Sequence, residues 1–404
     1  MTFQAISMLY VYLMRGDEKL AVGRLAAKNR HLFFEYTPKF IKTGLQISPL
    51  KLPLKPGVIS CDDRVFEGLF GVFNDSLPDG WGRLLLDRKL MQRHINPKDL
   101  SPLDRLRYVG THGMGALVYE PEMETGDGLA HCDDLDEIND ASLRFQENKD
   151  NSHDDTFFDD LLALNGSSAG ARPKIVTNIN GDDWLIKFRS AFDPKDSGPI
   201  EYAYHLMAKE AFLDVPDAKL FPSKREPGYF GVKRFDRKAG KRFHVHTISG
   251  LLHADHRLPC LDYATILKAT LWLTKDAREG EKQFRAAVFN AFSHNRDDHA
   301  KNFSFLMNEN GEWCVAPSYD LMFSSGPSGE HCTVFMGEGK HPTRSHLLKL
   351  AEVGGIKKQK ALEIIDEIQG AVSKWDHFAK KSGVTSGSRI MIRNAFDRIA
   401  HLLG

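Results

Sequence analysis

The sequence predicts an α+β fold in two lobes, a β-rich N-terminal part and a mainly helical C-terminal lobe. Three observations predict it: short β-prone runs (LYVYLM, LFFEY) near the N-terminus, a glycine loop feeding a β-hairpin around 165–188, and helical periodicity from Ser345 onward. At 404 residues the chain has the length of two to three domains of roughly 100–200 residues each. Charge is balanced, 54 Lys+Arg against 54 Asp+Glu, so bulk composition calls for neither a nucleic-acid nor a membrane partner. The five cysteines, Cys61, Cys132, Cys260, Cys314 and Cys332, lie far apart without the close pairs of zinc or redox motifs, which fits a reducing compartment. No basic segment precedes the apolar run Leu9–Met14, which is too short for a membrane span, so a cytoplasmic protein without membrane association is expected.

In chain order, the β-prone runs lead through Phe66–Phe73 and the turn-rich NDSLPDGWG to a basic, helix-like stretch, Arg83–His94. The glycines at 110–115 read as a structural turn, because a strand-like segment rather than a helix follows and no Lys-Ser/Thr is present. Residues 121–160 are acidic and read as a solvated linker or flap, with a short helix anchored by Leu135, Ile138, Leu143 and Phe145. Asn165–Lys174 then leads into a hairpin turning at Asn180-Gly181, followed by a helix over Pro199–Leu213 and a strand over Tyr229–Phe235. Helices are predicted over Tyr263–Leu273 and Lys282–Ser293, the latter with Phe284, Ala287, Val288 and Ala291 inward. Two strands, Phe303–Met307 and Trp313–Ala316, come next, then helices over His346–Glu352, Lys358–Ala379 and Ser388–Leu403. The expected divisions fall at 1–120, 121–160, 161–240 and 241–404.

Phosphoryl transfer needs a base beside the acceptor hydroxyl, hard oxygen ligands for Mg²⁺, a lysine on the phosphates and main-chain N–H groups over them. In His294-Asn295-Arg296-Asp297-Asp298-His299-Ala300-Lys301-Asn302, Asp297 and Asn302 stand five apart, the spacing of base and metal amide in a kinase catalytic loop, and Lys301 adds a cation. The same residues in a plain helix-to-strand connection are common turn formers. Asp320 follows a hairpin that starts just beyond Asn302, and such a hairpin returns its carboxylate toward that amide, a pairing that suits Mg²⁺. Lys187, in the apolar strand LIKF, calls for an anion. ATP phosphates satisfy that need, as does a structural carboxylate, with Glu201 the first candidate and Glu210 its competitor. The small residues Gly166-Ser167-Ser168-Ala169-Gly170-Ala171 allow close backbone approach to phosphate, and Arg172 and Lys174 add charge. A phosphate on Ser167 or Ser168 would repel bound ATP.

These residues resemble the HipA toxin kinases of bacterial type II toxin–antitoxin modules. SSAGARPK resembles that family's glycine-loop block, WLIKF its phosphate-lysine strand, YFGVKRFDR its adenine strand, RDDHAKNFS its catalytic loop and PSYDL its metal aspartate. FNDSLPDGWGRLLLDR resembles its N-terminal subdomain, so the likeness spans most of the chain. The resemblance implies a protein-kinase-like fold, with 161–240 as the ATP-binding lobe and 241–404 carrying the catalytic loop. It implies Asp297 as catalytic base and Asn302 and Asp320 as Mg²⁺ ligands. It places ATP against Ala169, Gly170, Ala171, Arg172, Lys174, Lys187, Lys233, Arg234, Phe235, His299, Lys301, Asn302, Tyr319 and Asp320, and self-phosphorylation on Ser167 or Ser168. It further implies a HipB-like helix-turn-helix antitoxin as partner, operator DNA bound mainly through that antitoxin, and a protein substrate within the translation apparatus. Two other classes remain: a metal-dependent hydrolase using His294, Asp297, Asp298 and His299, and a catalytically silent scaffold that binds antitoxin and DNA.

Overall fold

The computed structural model describes residues 5–29, 31–123, 134–147 and 170–403. It divides into two units: Met1–Asp193 with Lys233–His253 and Leu306–Gly311, and Pro194–Val232 with Ala254–Phe305 and Glu312–Gly404. Apolar alternation in Met8–Arg15 (β1) buries Leu9, Val11 and Leu13, the period-two pattern of a strand with one face inward. Around it Glu18–Lys28 (β2), His31–Tyr36 (β3), Val58–Ser60 (β4) and Leu117–Glu120 (β5) form one sheet in the order β4-β3-β2-β1-β5, with every pairing antiparallel. Gly16, at φ 59, opens the two-residue loop between β1 and β2, where positive φ matches the twist of the strands. At Gly23 a Cβ would lie 2.3 Å from the Glu35 carbonyl oxygen, so this point of β2 admits no side chain. The inward face carries an aromatic cluster, with Phe34 4.8 Å from Tyr36 and 5.1 Å from Phe73 between ring centres.

In the same unit Lys174–Ile179 (β6) and Asp182–Lys187 (β7) make the expected hairpin, with Asn180 at φ 54 and Gly181 at φ 87, the two positive values an Asn-Gly turn supplies. The glycine-rich segment 110–115 is a structural tether, as expected. Its Gly113 and Gly115 carbonyls accept from Arg237 (2.9 Å each) and the Gly115 N–H donates to Asp236 at 2.7 Å. Leu135–Gln146 is the expected short helix, capped by the Asp134 side chain.

In the second unit Ala218–Phe221 (β8) pairs antiparallel with Tyr229–Lys233 (β9), after the helix Ser197–Glu210. The helix expected from Lys282 starts earlier, at Ala277, because the Asp276 side chain accepts the Arg278 N–H and caps it. Phe284, Ala287, Val288 and Ala291 are all fully buried on it. The helix expected over Lys358–Ala379 is two, Lys358–Ser373 and Trp375–Ser382, with Lys374 between them. Trp375 is fully buried at 5.6 Å from both Tyr204 and Phe396, and the break places its indole there.

Candidate active site

The helix Ala277–Phe292 hands the chain to the segment Asn295–Asn302 through His294, a non-glycine residue at φ 52. The side chains of His294, Asn295, Arg296 and Asp298 are tied to the surrounding protein. His294 Nδ1 meets the Ser324 carbonyl at 2.9 Å, Asn295 donates to Asn290 at 2.9 Å, and Arg296 donates to the carbonyls of Gly329 and Lys340. Asp298 is wholly buried. Its Oδ2 accepts from the Tyr263 hydroxyl at 2.7 Å and meets His331 Nδ1 at 2.8 Å, while Oδ1 accepts the Thr333 N–H at 3.2 Å. Burial, followed by the Asp298 charge, raises the Tyr263 phenol far above its ordinary pKa, so it stays a donor. With its neighbours fixed, Asp297 is the exposed carboxylate of the loop.

Asn302 folds back to donate its amide to the Asp297 carbonyl at 2.7 Å, which leaves the amide oxygen to serve as acceptor or ligand. Tyr319 donates to the Lys301 carbonyl and meets Ser304 Oγ at 2.6 Å, so the residue before Asp320 is pinned to the chain on both sides of Asn302. Asp320 itself sits at φ 57, a conformation that costs a non-glycine residue on the order of 1–3 kcal/mol and that concentrates at functional sites. Lys301 is buried, and His299 Nδ1 is buried without a hydrogen-bond partner among the described residues. The Cys332 N–H donates to the Arg296 carbonyl at 3.1 Å. Burial, then the Asp298 and Asp297 charges, pushes its thiol up to about 12, so it stays protonated.

The remaining predicted residues belong to the first unit. Lys174 and Lys187 occupy directly opposed register positions of β6 and β7, and Lys174 is buried. Arg172 is held bidentately by Asp193 at 2.8 and 2.9 Å. Lys233 pairs with Asp182 at 2.8 Å and the Arg234 N–H donates to the Asp183 carbonyl at 2.8 Å, which sets Lys233–Phe235 beside the start of β7. The Arg234 guanidinium is turned into Asp236 at 2.7 and 2.9 Å, which commits that side chain within its own segment. Gly170 and Ala171 are described, whereas Ser167, Ser168 and Ala169 lie outside the described residues. Of the two carboxylates weighed for Lys187, Glu210 pairs with Lys374, while Glu201 is buried in its helix.

The hydrolase reading requires Asp298 as a metal ligand, but both its oxygens already accept structural hydrogen bonds, and among the described residues no three His, Cys, Asp or Glu groups converge. A second hydrolase-like chain, Ser48 Oγ to His246 Nε2 at 3.0 Å and His246 Nδ1 to Asp75 at 2.6 Å, is fully enclosed, with Ser48 at 0% exposure, and serves as a structural tie. Sequence reasoning missed the inward role of Asp298 and its partners Tyr263, His331 and Thr333. The adjacent aspartates carry no local signal of which one faces solvent.

Among the described residues no helix is long and apolar enough to cross a membrane. The chain is similar over 98% of its length, and 98% of the other's, to a protein of Shewanella oneidensis MR-1 solved as a toxin–antitoxin complex of HipA, HipB and operator DNA, at 16% identity and a TM-score of 0.69. That likeness carries the fold. The proinflammatory kinase CtkA of Helicobacter pylori matches 55% of the chain and 95% of its own at 16% identity, with a TM-score of 0.33 that carries no argument. A family model of the HipA N-terminal domain matches residues 15–120 and one of the HipA-like C-terminal domain matches residues 166–375. With both domains matched in order and the whole fold shared, the chain belongs to the HipA family.

Proposed function

We propose that this protein is an ATP- and Mg²⁺-dependent serine/threonine kinase acting as the toxin of a toxin–antitoxin pair. The observation that carries the reading is the sorting of one loop: Asp297 exposed, its flanking polar side chains bound inward, and the Asn302 amide tied to its carbonyl. An exposed carboxylate on a rigid loop is suited to accept the proton of an incoming hydroxyl. The amide oxygen of Asn302 and the carboxylate of Asp320 are the hard donors Mg²⁺ prefers, and two protein ligands leave room for phosphate oxygens. When bound, Mg²⁺ neutralises charge on those oxygens. Lys174 and Lys187 offer paired cations for the phosphates, and the orphan nitrogen of His299 offers a further polar contact.

Self-phosphorylation of Ser167 or Ser168 is the regulatory part of the proposal: a doubly charged group in that loop repels ATP. A HipB-like helix-turn-helix antitoxin is the proposed partner, with operator DNA engaged mainly through it and a translation component as protein substrate. The HipA–HipB–operator complex of the Shewanella relative supports the partner assignment. Purified protein is incubated with γ-labelled ATP and Mg²⁺ beside Asp297→Ala, and phosphosites are mapped. Label on Ser167 or Ser168 that vanishes in the variant is expected. Equal labelling of both proteins would remove Asp297 as base, and ATP binding without any transfer, from a chain whose starting mass carries no phosphate, would favour the scaffold.

A further inference from the structure

The helix Gly80–Gln92 begins at Asp79, a residue type that ordinarily caps its own helix by accepting an N–H of the first turn. Here it makes no such cap. Its Oδ1 instead accepts the N–H of Gly170, 91 positions along the chain, and the Trp81 N–H donates to the Gly170 carbonyl at 3.1 Å. Both polar groups of one glycine are thus held by the start of one helix, within one unit. The fit excludes side chains: a Cβ on Gly80, itself at φ 43, would stand 2.7 Å from the Ala171 Cα and the Gly170 oxygen. On Gly170, at φ 106, it would stand 2.4 Å from the Lys174 ammonium. At Gly80 a side chain is excluded because the two backbones meet, whereas at Gly170 it is the positive φ that favours glycine, the Lys174 ammonium being the end of a flexible chain.

We infer that Asp79 is a positioning residue that, with the Trp81 amide, fixes the backbone hinge at Gly170 and Ala171 and so sets Lys174 for ATP phosphates. The inference rests on the kinase reading. The Gly170 amide is spent on the hinge, so the phosphate contact assigned to this point falls to Lys174. A carboxylate there has a second conceivable effect, competition with phosphate for the same N–H, and the two effects have opposite signs.

Three full-length proteins separate them: wild type, Asp79→Ala and Asp79→Asn, whose amide oxygen can still accept. In Asp79→Ala, amide exchange over 170–174 is expected to quicken roughly tenfold and KM for ATP to rise by a similar factor, with kcat within about twofold, as loss of one charge-assisted hydrogen bond implies. Asp79→Asn is expected to recover most of both. Unchanged exchange in Asp79→Ala would overturn the hinge, and a fall in KM would overturn it in favour of competition. Failure of the wild type to bind ATP would sink the kinase reading and the nucleotide role with it, and the exchange comparison reads the hinge separately.

Discussion

Neutralising Asp236 is expected to destabilise the first unit by an amount that depends on pH in a defined way. The carboxylate is buried and accepts from Arg234 at 2.7 Å, Arg237 at 2.7 Å and the Gly115 N–H at 2.7 Å. Burial pushes its pKa up, but the Arg234 and Arg237 charges and the Gly115 amide outweigh that and hold it at about 2, against 3.8 for an ordinary Asp. The folded value lies below the unfolded one, so the charged form stabilises the fold above pH 4 and this contribution is lost as pH falls toward 2. The difference corresponds to roughly 2.5 kcal/mol at pH 7 and about half of that at pH 3. Asp236→Asn imitates the protonated form with little change of shape. Urea unfolding followed by circular dichroism should therefore show a loss of about 2–3 kcal/mol at pH 7 that shrinks by about half at pH 3. A loss under about 0.5 kcal/mol at pH 7, or an equal loss at both values, would refute the claim that this charge is held by its arginines.

Tyr263→Phe removes a donor from buried Asp298 and an acceptor from Asn290, and is expected to cost about 1.5–3 kcal/mol in urea unfolding and to slow transfer by loosening the loop that carries Asp297. Unchanged stability would show the bond to be dispensable. His244 is fully enclosed, and burial, against a partial offset from the Ile47 carbonyl, lowers its pKa from 6.5 to about 4. The neutral form is favoured in the fold, so stability on the order of 3 kcal/mol is lost as pH falls from 6.5 to 4, and its ring protons should show no NMR titration above pH 5. A midpoint above pH 6 would contradict that enclosure.

Strands and helices with a local period were readable from the chain: β1 and β3, the Asn180-Gly181 hairpin and the buried stripe of Ala277–Phe292 all carry their signal within a few residues. The break at Lys374 was not readable, because Trp375 continues the apolar pattern while its burial between Tyr204 and Phe396 is decided far away. The spacing of Asp297 and Asn302 was visible, but the choice of Asp297 over Asp298 as the outward carboxylate depends on Tyr263 and His331, 35 and 33 positions distant. Asp79 looked like part of an ordinary turn for the same reason: its partner Gly170 leaves no trace near it in sequence.

The first unit draws on three separate stretches, the last of them Leu306–Gly311. During synthesis, its N-terminal stretch ends at Asp193 and must wait for about 120 further residues before its last piece is made, on the order of ten seconds at ribosomal speed. β1–β5 can assemble early, but the Asp236 carboxylate that binds the Gly115 amide and the His244 ring that meets Ile47 are made only with the second stretch, Lys233–His253. A nascent chain of this protein therefore remains an incomplete unit through most of its translation, and a ribosome stalled before residue 233 exposes a sheet whose tethering residues do not yet exist.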